Sequence, residues 1–283
     1  MAIKRYLSEE NLKRLMKEKP FLIKNIINSQ GKLILCLRNN YFNVYYRGNS
    51  LAKVSFAPEE KYIVEMHSKF VPEEIKNDPT FNNKFKIVTD KETEKVYSFN
   101  IEQCELRKLL QKKYIEKIES KITQVNYKEE LEFQHFVMEE NIFNEEYCLI
   151  DIQITDESAA QKRIDMIGLK HLEKNKYIMV IMEVKLGNNK ELEDAVYYQV
   201  KGYSEHVKKY FKCYKETYEK QYNQLKQLGL ICGHDSETII IEDEIDEMIL
   251  VGRYIAKAKK QIGELIIHHP DIKDKIRLLT YEL

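Results

Sequence analysis

The stretch that most constrains the fold is YIMVIMEVKLG, residues 177–187. Six apolar residues in a row, followed by Glu, Val, Lys and Leu, predict a strand that is buried on both faces. Because side chains alternate along a strand, Glu183 and Lys185 project to one face and Val184 to the other. A carboxylate and an ammonium on a buried strand are costly unless they are paired, bound to a metal or placed at a cleft. The end of this strand is therefore a candidate functional site.

A second apolar strand, KRIDMIGL at 162–169, is interrupted by Asp165, which shares a strand face with Arg163. If LKHLEKNK at 169–176 joins the two strands as a hairpin, Asp165 lies beside Glu183. Two carboxylates suit Mg²⁺ or Mn²⁺, because such hard cations take oxygen ligands and Mg²⁺ keeps several waters. A lysine two residues from a metal carboxylate can orient an attacking water or stabilise charge on phosphorus. The alternative interpretation is an ordinary strand pair that ends in a Glu–Lys salt bridge.

The sequence of residues 1–122 predicts a smaller α+β domain that serves binding, dimerisation or sensing. A short helix is expected at 8–19, and an antiparallel meander of about four strands at 32–67, because Asn and Gly connections between β-branched and aromatic runs are typical of hairpins. A charged helix at 101–122 then joins the two halves of the chain. The residues that mark these boundaries are Ser8 as N-cap, Pro20 after the first helix, and Asn39-Asn40 and Gly48-Asn49 between strands.

Residues 123–283 predict an α/β domain in the order helix, three strands, helix, strand. This second domain contains both strands that carry the candidate site. Its expected elements are a helix at 127–141, strands at 148–155, 162–169 and 176–186, a helix at 191–211 resuming at 211–228, a strand at 247–254, a helix at 256–267 and a closing strand at 276–282.

Composition limits the classes of function that are open to the chain. Lysine plus arginine equals aspartate plus glutamate, 46 against 46, so any nucleic-acid surface must be a local patch. The five cysteines are scattered, odd in number and never spaced as CxxC, which favours reduced thiols over a zinc site or disulfides. No segment approaches 18 uninterrupted apolar residues, and the first residues contain no apolar run of signal-peptide length. We therefore expect a cytoplasmic protein with no membrane partner.

Three strings, RIDMIGL, MEVKLGNN and QVKGY, together resemble the core of the PD-(D/E)XK, or restriction-endonuclease-like, nuclease superfamily over roughly 125–283. The resemblance implies a mixed sheet flanked by helices. It also implies that Asp165 and Glu183 are metal ligands, that the backbone carbonyl of Val184 is a third, and that Lys185 is the water-orienting base. The literal Pro-Asp pair of the superfamily's name is absent here, a departure that many members share.

The resemblance extends to residues on two helices. Gln199 and Tyr203, at i and i+4 on one helix face, resemble the Q-x-x-x-Y motif that borders the active site in the exonuclease-like branch. The alternative is that Tyr203 is a core residue and Gln199 is merely tolerated. Members of the superfamily often place a Glu on the helix before the first core strand, so Glu129 and Glu132 are candidates here. We favour Glu132, because the residues that follow it along the helix are mostly apolar. A solvated charged helix is the alternative for both glutamates.

These observations predict a phosphodiesterase that cleaves DNA through a water activated by Mg²⁺ or Mn²⁺. The resemblance also implies a restriction or antiphage defence context, and a homodimer is a further expectation. A non-catalytic nucleic-acid-binding or scaffold protein with the same fold is one alternative, although intact Asp, Glu and Lys residues argue against it. An RNA-directed nuclease is another, because the core chemistry attacks phosphorus and need not involve the 2′-hydroxyl.

Overall fold

The structure, a computed structural model, describes residues 3–91, 94–125, 128–141, 146–156, 163–231 and 238–279. The chain divides into two compact units. Unit 1 comprises Met1–Ile3, Phe136–Asn223 and Ile231–Leu283, and unit 2 comprises Lys4–His135 and Gln224–Leu230. The main division between these units falls after His135, and the predicted domain boundary at 122–123 stays a prediction. Within the described ranges, no helix has the length and apolar character needed to cross a membrane.

Unit 2 contains a six-stranded antiparallel sheet in the order β1-β2-β3-β4-β6-β5. Its strands are β1 (Leu33–Leu37), β2 (Tyr41–Tyr46), β3 (Asn49–Phe56), β4 (Tyr62–His67), β5 (Lys86–Lys91) and β6 (Glu94–Ile101). The predicted four-stranded meander is confirmed by β1 to β4. The last two strands were not predicted, because β5 is rich in charge and β6 gains its place by pairing with β4.

The hairpin between β2 and β3 turns at Arg47 and Gly48, one residue earlier than the Gly48-Asn49 pair expected from the sequence. Both turn residues have positive φ, 47° and 71°, which suits a tight two-residue connection. A Cβ on Gly48 would also lie 2.4 Å from the carbonyl oxygen of Leu131. Gly48 is therefore required both by the turn and by the close approach of the Leu131 backbone.

The helices that begin in unit 2 are α1 (Glu9–Lys17), α2 (Lys24–Asn28), α3 (Glu73–Lys76), α4 (Gln103–Leu109), α5 (Lys112–Val125) and α6 (Glu129–Asn141). Ser8 caps α1 as predicted, accepting a hydrogen bond from the amide of Asn11 at 3.3 Å. Pro20 does not stop the chain's helical path, because it occupies the start of a π-helical turn, Lys19–Ile23, where its missing N–H is not needed. The predicted single helix at 101–122 is two helices, α4 and α5.

Unit 1 contains a five-stranded mixed sheet in the order β11-β10-β9-β8-β7. Its strands are β7 (Tyr147–Thr155), β8 (Arg163–Glu173), β9 (Lys176–Leu186), β10 (Ile240–Gly252) and β11 (Ile276–Leu279), and its helices are α7 (Ala195–Lys209), α8 (Phe211–Leu228), which runs on into unit 2, and α9 (Ile255–His268). β7, β8 and β9 are antiparallel neighbours, whereas β10 runs parallel to β9 and β11. The predicted order of elements is confirmed, although Thr280–Glu282 of the expected last strand lie outside the described residues.

The core of unit 1 fixes which face of the sheet carries the site. β9 is buried from Tyr177 to Leu186, as its apolar run predicted. In the parallel register Ile249 lies opposite Glu183 and Val251 opposite Lys185, so these four side chains share one face. Both β10 residues belong to an apolar cluster built with α7 and α9. Its members are Leu192, Val196, Val200, Ile249, Val251, Ala258, Leu265 and Ile272.

Candidate active site

The two predicted acidic ligands lie side by side at the open end of the β8–β9 hairpin. The strand pairing runs from Met166 opposite Met182 towards the hairpin turn, so Asp165 and Glu183 are the next residues beyond it. Asp165 Oδ2 accepts a hydrogen bond from the amide of Val184 at 3.0 Å. The Asp165 carboxylate therefore accepts a backbone N–H that a strand carbonyl would otherwise accept, and this hydrogen bond fixes the carboxylate against the β9 backbone.

Both carboxylates are buried, Asp165 to 4% and Glu183 to 3% residual exposure. Desolvation makes a carboxylate costly unless positive charge or donors compensate it. The cations and donors around the pair therefore decide what the site can do.

Lys185 is the cation at the centre of the site. Its Nζ lies 2.7 Å from Glu183 Oε1 and 2.6 Å from Glu191 Oε2, and its side chain is only 7% exposed. Burial alone lowers the pKa of Lys185, but the charges and hydrogen bonds of Glu183 and Glu191 outweigh burial and raise the pKa overall. Lys185 is therefore an ammonium at neutral pH, which favours donating to a water or stabilising negative charge over accepting a proton.

Glu191 is a site residue that the sequence did not reveal. It lies on a 3₁₀ turn, Lys190–Glu193, between β9 and α7, and its amide donates to Asn189 Oδ1 at 3.0 Å. The hydrogen bond from Lys185 lowers the pKa of Glu191, against the opposing effect of burial. The polar string NNKELE looks like the start of an amphipathic helix, so no local signal separates Glu191 from its neighbours.

Helix α7 carries Gln199 and Tyr203, which influence the carboxylates of the site. The neighbouring side chain of Gln199 also lowers the pKa of Glu191. Gln199 Oε1 is buried with no hydrogen-bond partner within the described part of the chain. Burial, followed by the negative charges of Glu183 and Asp165, raises the pKa of Tyr203, which is 8% exposed. Tyr203 is thus a buried residue, as the core alternative held, and also electrostatically coupled to both carboxylates.

Arg163 lies at the rim of the site. Its Nη2 is 4.0 Å from Asp165 Oδ1, and its side chain is 44% exposed. Within the described residues, these ion pairs join three carboxylates, Asp165, Glu183 and Glu191, to two cations, Lys185 and Arg163. The local excess of negative charge on a buried strand end attracts cations.

The candidate helix carboxylate belongs to unit 2. Glu132 Oε1 lies 3.3 Å from Arg47 Nη1 of the same unit, and its side chain is 20% exposed. Glu129 is half-buried at the first turn of α6. The choice between Glu132 and Glu129 as a site residue stays a prediction.

The donor set of the site fits a hard divalent cation. Among the residues that the structure describes, no group of three or more His, Cys, Asp or Glu side chains could hold a metal ion. A cation at this site would therefore have only two side-chain ligands. Asp165 and Glu183 offer two carboxylates and Val184 a main-chain carbonyl, all oxygen donors, and Mg²⁺ fills its remaining positions with water. The described cysteines, Cys36, Cys104, Cys148 and Cys213, are not in disulfides and belong to no group of three or more metal-ligating side chains; Cys232 lies outside the described residues.

Comparison of the sequence and the structure with known proteins finds no relative. No protein-family model matches the sequence, no curated protein matches it significantly, and no solved structure matches the chain.

Proposed function

We propose that unit 1 is a Mg²⁺- or Mn²⁺-dependent nuclease with a restriction-endonuclease-like core that hydrolyses phosphodiester bonds in DNA. The observation that carries the proposal is the convergence of Asp165 from β8 with Glu183 and Lys185 from β9. The Asp165 carboxylate bonds the backbone between the other two residues, at Val184, and Lys185 lies 2.7 Å from Glu183. Asp165 is 4% exposed, accepts the Val184 amide and lies 4.0 Å from Arg163, so two buried carboxylates from neighbouring strands stand at one strand end.

Each residue has a defined part in the proposed reaction. Asp165, Glu183 and the carbonyl of Val184 hold the cation, which when bound polarises the phosphodiester and lowers the pKa of a coordinated water. Lys185 donates a hydrogen bond to the attacking water and offsets negative charge that builds on phosphorus. Gln199 and Tyr203, which approach the cluster from α7, contact the nucleic acid at its border. Unit 2 serves substrate binding, dimerisation or sensing.

A plasmid-nicking assay tests the proposal. Purified wild-type protein with Mg²⁺ is expected to convert supercoiled DNA to nicked or linear forms, and chelation with EDTA to stop it. Asp165→Ala and Lys185→Ala are expected to lose this activity, while Glu193→Ala, an exposed acid on the turn that carries Glu191, keeps it. Cleavage that persists in both site variants means that the activity is a contaminant or lies elsewhere.

Two further arms separate the alternatives. Labelled DNA and RNA of the same sequence distinguish a DNA nuclease from an RNA-directed one. A gel-shift measurement with Ca²⁺ identifies a non-catalytic nucleic-acid-binding protein, which retains DNA but never cleaves it when Mg²⁺ is supplied.

Light scattering at working concentration tests the proposed homodimer. Phage challenge of cells that carry the active or Asp165→Ala protein tests the defence context.

A further inference from the structure

We infer that Glu191 is a positioning residue that holds the Lys185 ammonium in the site once a divalent cation occupies Asp165 and Glu183. The inference rests on the proposed function and adds a residue to it. Glu191 does not belong to the predicted ligand set, yet it makes the shorter of the two ion pairs to Lys185, 2.6 Å against 2.7 Å for Glu183. Lys185 is thus bracketed by one carboxylate inside the candidate metal site and one outside it.

The turn that carries Glu191 is firmly anchored. The amide of Glu191 bonds Asn189 Oδ1 at 3.0 Å, and the amide of Asn189 bonds the carbonyl of Leu186 at 2.9 Å at the end of β9. Leu192, the next residue, is fully buried in the apolar cluster with α7 and α9. Gln199 of α7 lies near enough to the Glu191 carboxylate to lower its pKa. The carboxylate is therefore held where it meets Lys185 and is not a freely rotating surface group.

The start of the turn is also sterically fixed. A Cβ on Gly187 would lie 2.3 Å from the carbonyl oxygen of Arg253, and the amide of Gly187 donates to the carbonyl of Gly252 at 2.8 Å. The chain thus leaves β9 along one path, packed against the end of β10. Glu191 is delivered to Lys185 by a defined backbone route.

Cation binding changes the balance between the two carboxylates that hold Lys185. A divalent cation on Glu183 draws on the same negative charge as the ammonium, and the two cations repel each other across a buried, weakly screened site. The attraction between Glu183 and Lys185 is then weakened, while Glu191, which is outside the predicted ligand set, keeps its full charge. Glu191 is the group that stops Lys185 from leaving the site in the cation-bound state.

The matched pair of variants is Glu191→Gln and Glu193→Gln. Both remove one negative charge from the same turn; Glu191 contacts Lys185, whereas Glu193 is exposed and serves as the control. Glutamine keeps the size and a hydrogen-bond acceptor, so the comparison isolates the charge. Because Glu191 is 43% exposed at its side chain, we expect Glu191→Gln to fold, and a thermal melt checks this.

A lysine Nζ NMR spectrum reads the position of Lys185 without measuring activity. Ion-paired, buried ammonium groups exchange protons slowly enough to give a signal, which Lys185→Arg assigns by its disappearance. We expect wild type and Glu193→Gln to keep the Lys185 signal with and without Mg²⁺. Glu191→Gln is expected to keep it without Mg²⁺, where Glu183 still holds the lysine, and to lose it when Mg²⁺ is added. A signal that survives Mg²⁺ in Glu191→Gln overturns the inference.

Cleavage kinetics give a second readout. We expect Glu191→Gln to lower kcat about 10- to 100-fold, the scale of second-layer partners around metal sites, with KM for DNA within about twofold of wild type. Equal kcat in Glu191→Gln and Glu193→Gln, with an active wild type, rejects the positioning role and leaves the proposed function standing. Wild-type protein that neither cleaves DNA nor changes any Nζ signal on addition of Mg²⁺ rejects the proposed function, and this inference with it.

Discussion

Two groups of buried carboxylates, Glu18 in unit 2 and the Asp165–Glu183 pair in unit 1, are compensated in different ways. In unit 2, Glu18 is 1% exposed and meets Arg107 through two contacts, Nε to Oε2 at 2.8 Å and Nη2 to Oε1 at 3.2 Å, with Gln103 also donating to Oε1. Planar guanidinium and carboxylate groups match in such a pair, so its charge is fully used. In unit 1, two buried carboxylates, Asp165 and Glu183, lie beside one buried lysine.

The comparison separates a structural ion pair from a site prepared for chemistry. A matched pair such as Glu18–Arg107 has no capacity left for a ligand. The cluster around Lys185 keeps an excess of negative charge, which tends to destabilise the fold and is retained where it binds a cation or reacts. Removing a charge should therefore act mainly on function at the Asp165–Glu183–Lys185 group and mainly on stability at the Glu18–Arg107 pair.

The largest expected effect is on catalysis in unit 1. Asp165→Asn keeps an acceptor for the Val184 amide but removes the charge, so we expect metal-dependent cleavage to fall at least about 10³-fold, the scale of losing one key electrostatic group. The free energy of unfolding should not fall, because repulsion with Glu183 is relieved. Cleavage rate and thermal melting of the same preparation check both parts. A strong loss of stability would place Asp165 with the structural ion pairs instead.

The next effect is on stability in unit 2. Arg107→Ala leaves Glu18 buried without its cation, so we expect the free energy of unfolding to fall by about 3 kcal/mol. Denaturant unfolding measures the change, and Lys117→Ala, which breaks the exposed pair with Glu74, is the control and should lose much less. Similar losses in the two variants would contradict the distinction between buried and exposed pairs.

A pH effect in unit 2 comes from a buried group that avoids charge altogether. His135 is 3% exposed, its Nε2–H donates to the carbonyl of Lys32 at 3.0 Å, and burial lowers its pKa from 6.5 to about 4. The unfolded chain takes up a proton below its ordinary pKa while the folded protein does not. The stabilisation is therefore fully present above pH 6.5 and is lost as pH falls towards 4, by about 3 kcal/mol at most.

His135→Gln removes the titrating group and tests this window. Unfolding free energies at pH 7 and pH 4.5 should differ less in the variant than in wild type, by about 2 kcal/mol. Equal pH dependence in the two proteins would mean that the pKa of His135 is the same in the folded and unfolded states.

The smallest expected effect concerns Tyr203, a buried residue whose pKa is raised by the charges of Glu183 and Asp165. Burial and the neighbouring carboxylates keep the phenol protonated by raising its pKa, so it can donate a hydrogen bond to substrate or water. Tyr203→Phe removes one neutral donor, and we expect kcat/KM to fall about 10-fold with unchanged folding. Tyr197→Phe is the control, because that hydroxyl donates instead to Asp271 at 3.3 Å. Equal activity in both variants would assign Tyr203 to packing alone.

Much of the fold follows from local patterns. Hairpin residues with positive φ, such as Asn40 at 60°, mark the turns of the unit 2 meander, and the apolar run of β9 marks a strand buried on both faces. The break between α4 and α5 and the charged strand β5 were missed. Neither has a local signal as strong as its neighbours, and β5 owes its conformation to pairing with β6.

By itself, the sequence determined that Glu183 and Lys185 face the same way and that Asp165 interrupts a neighbouring apolar strand, because alternation along a strand is a property of the backbone. The Q-x-x-x-Y resemblance already predicted Gln199 and Tyr203 at the border of the site, but only the tertiary structure decided that Glu191 joins them. Their approach depends on how the turn after β9 folds back and how α7 packs on the sheet. These distances are set by core packing between residues far apart along the chain, which no local pattern encodes.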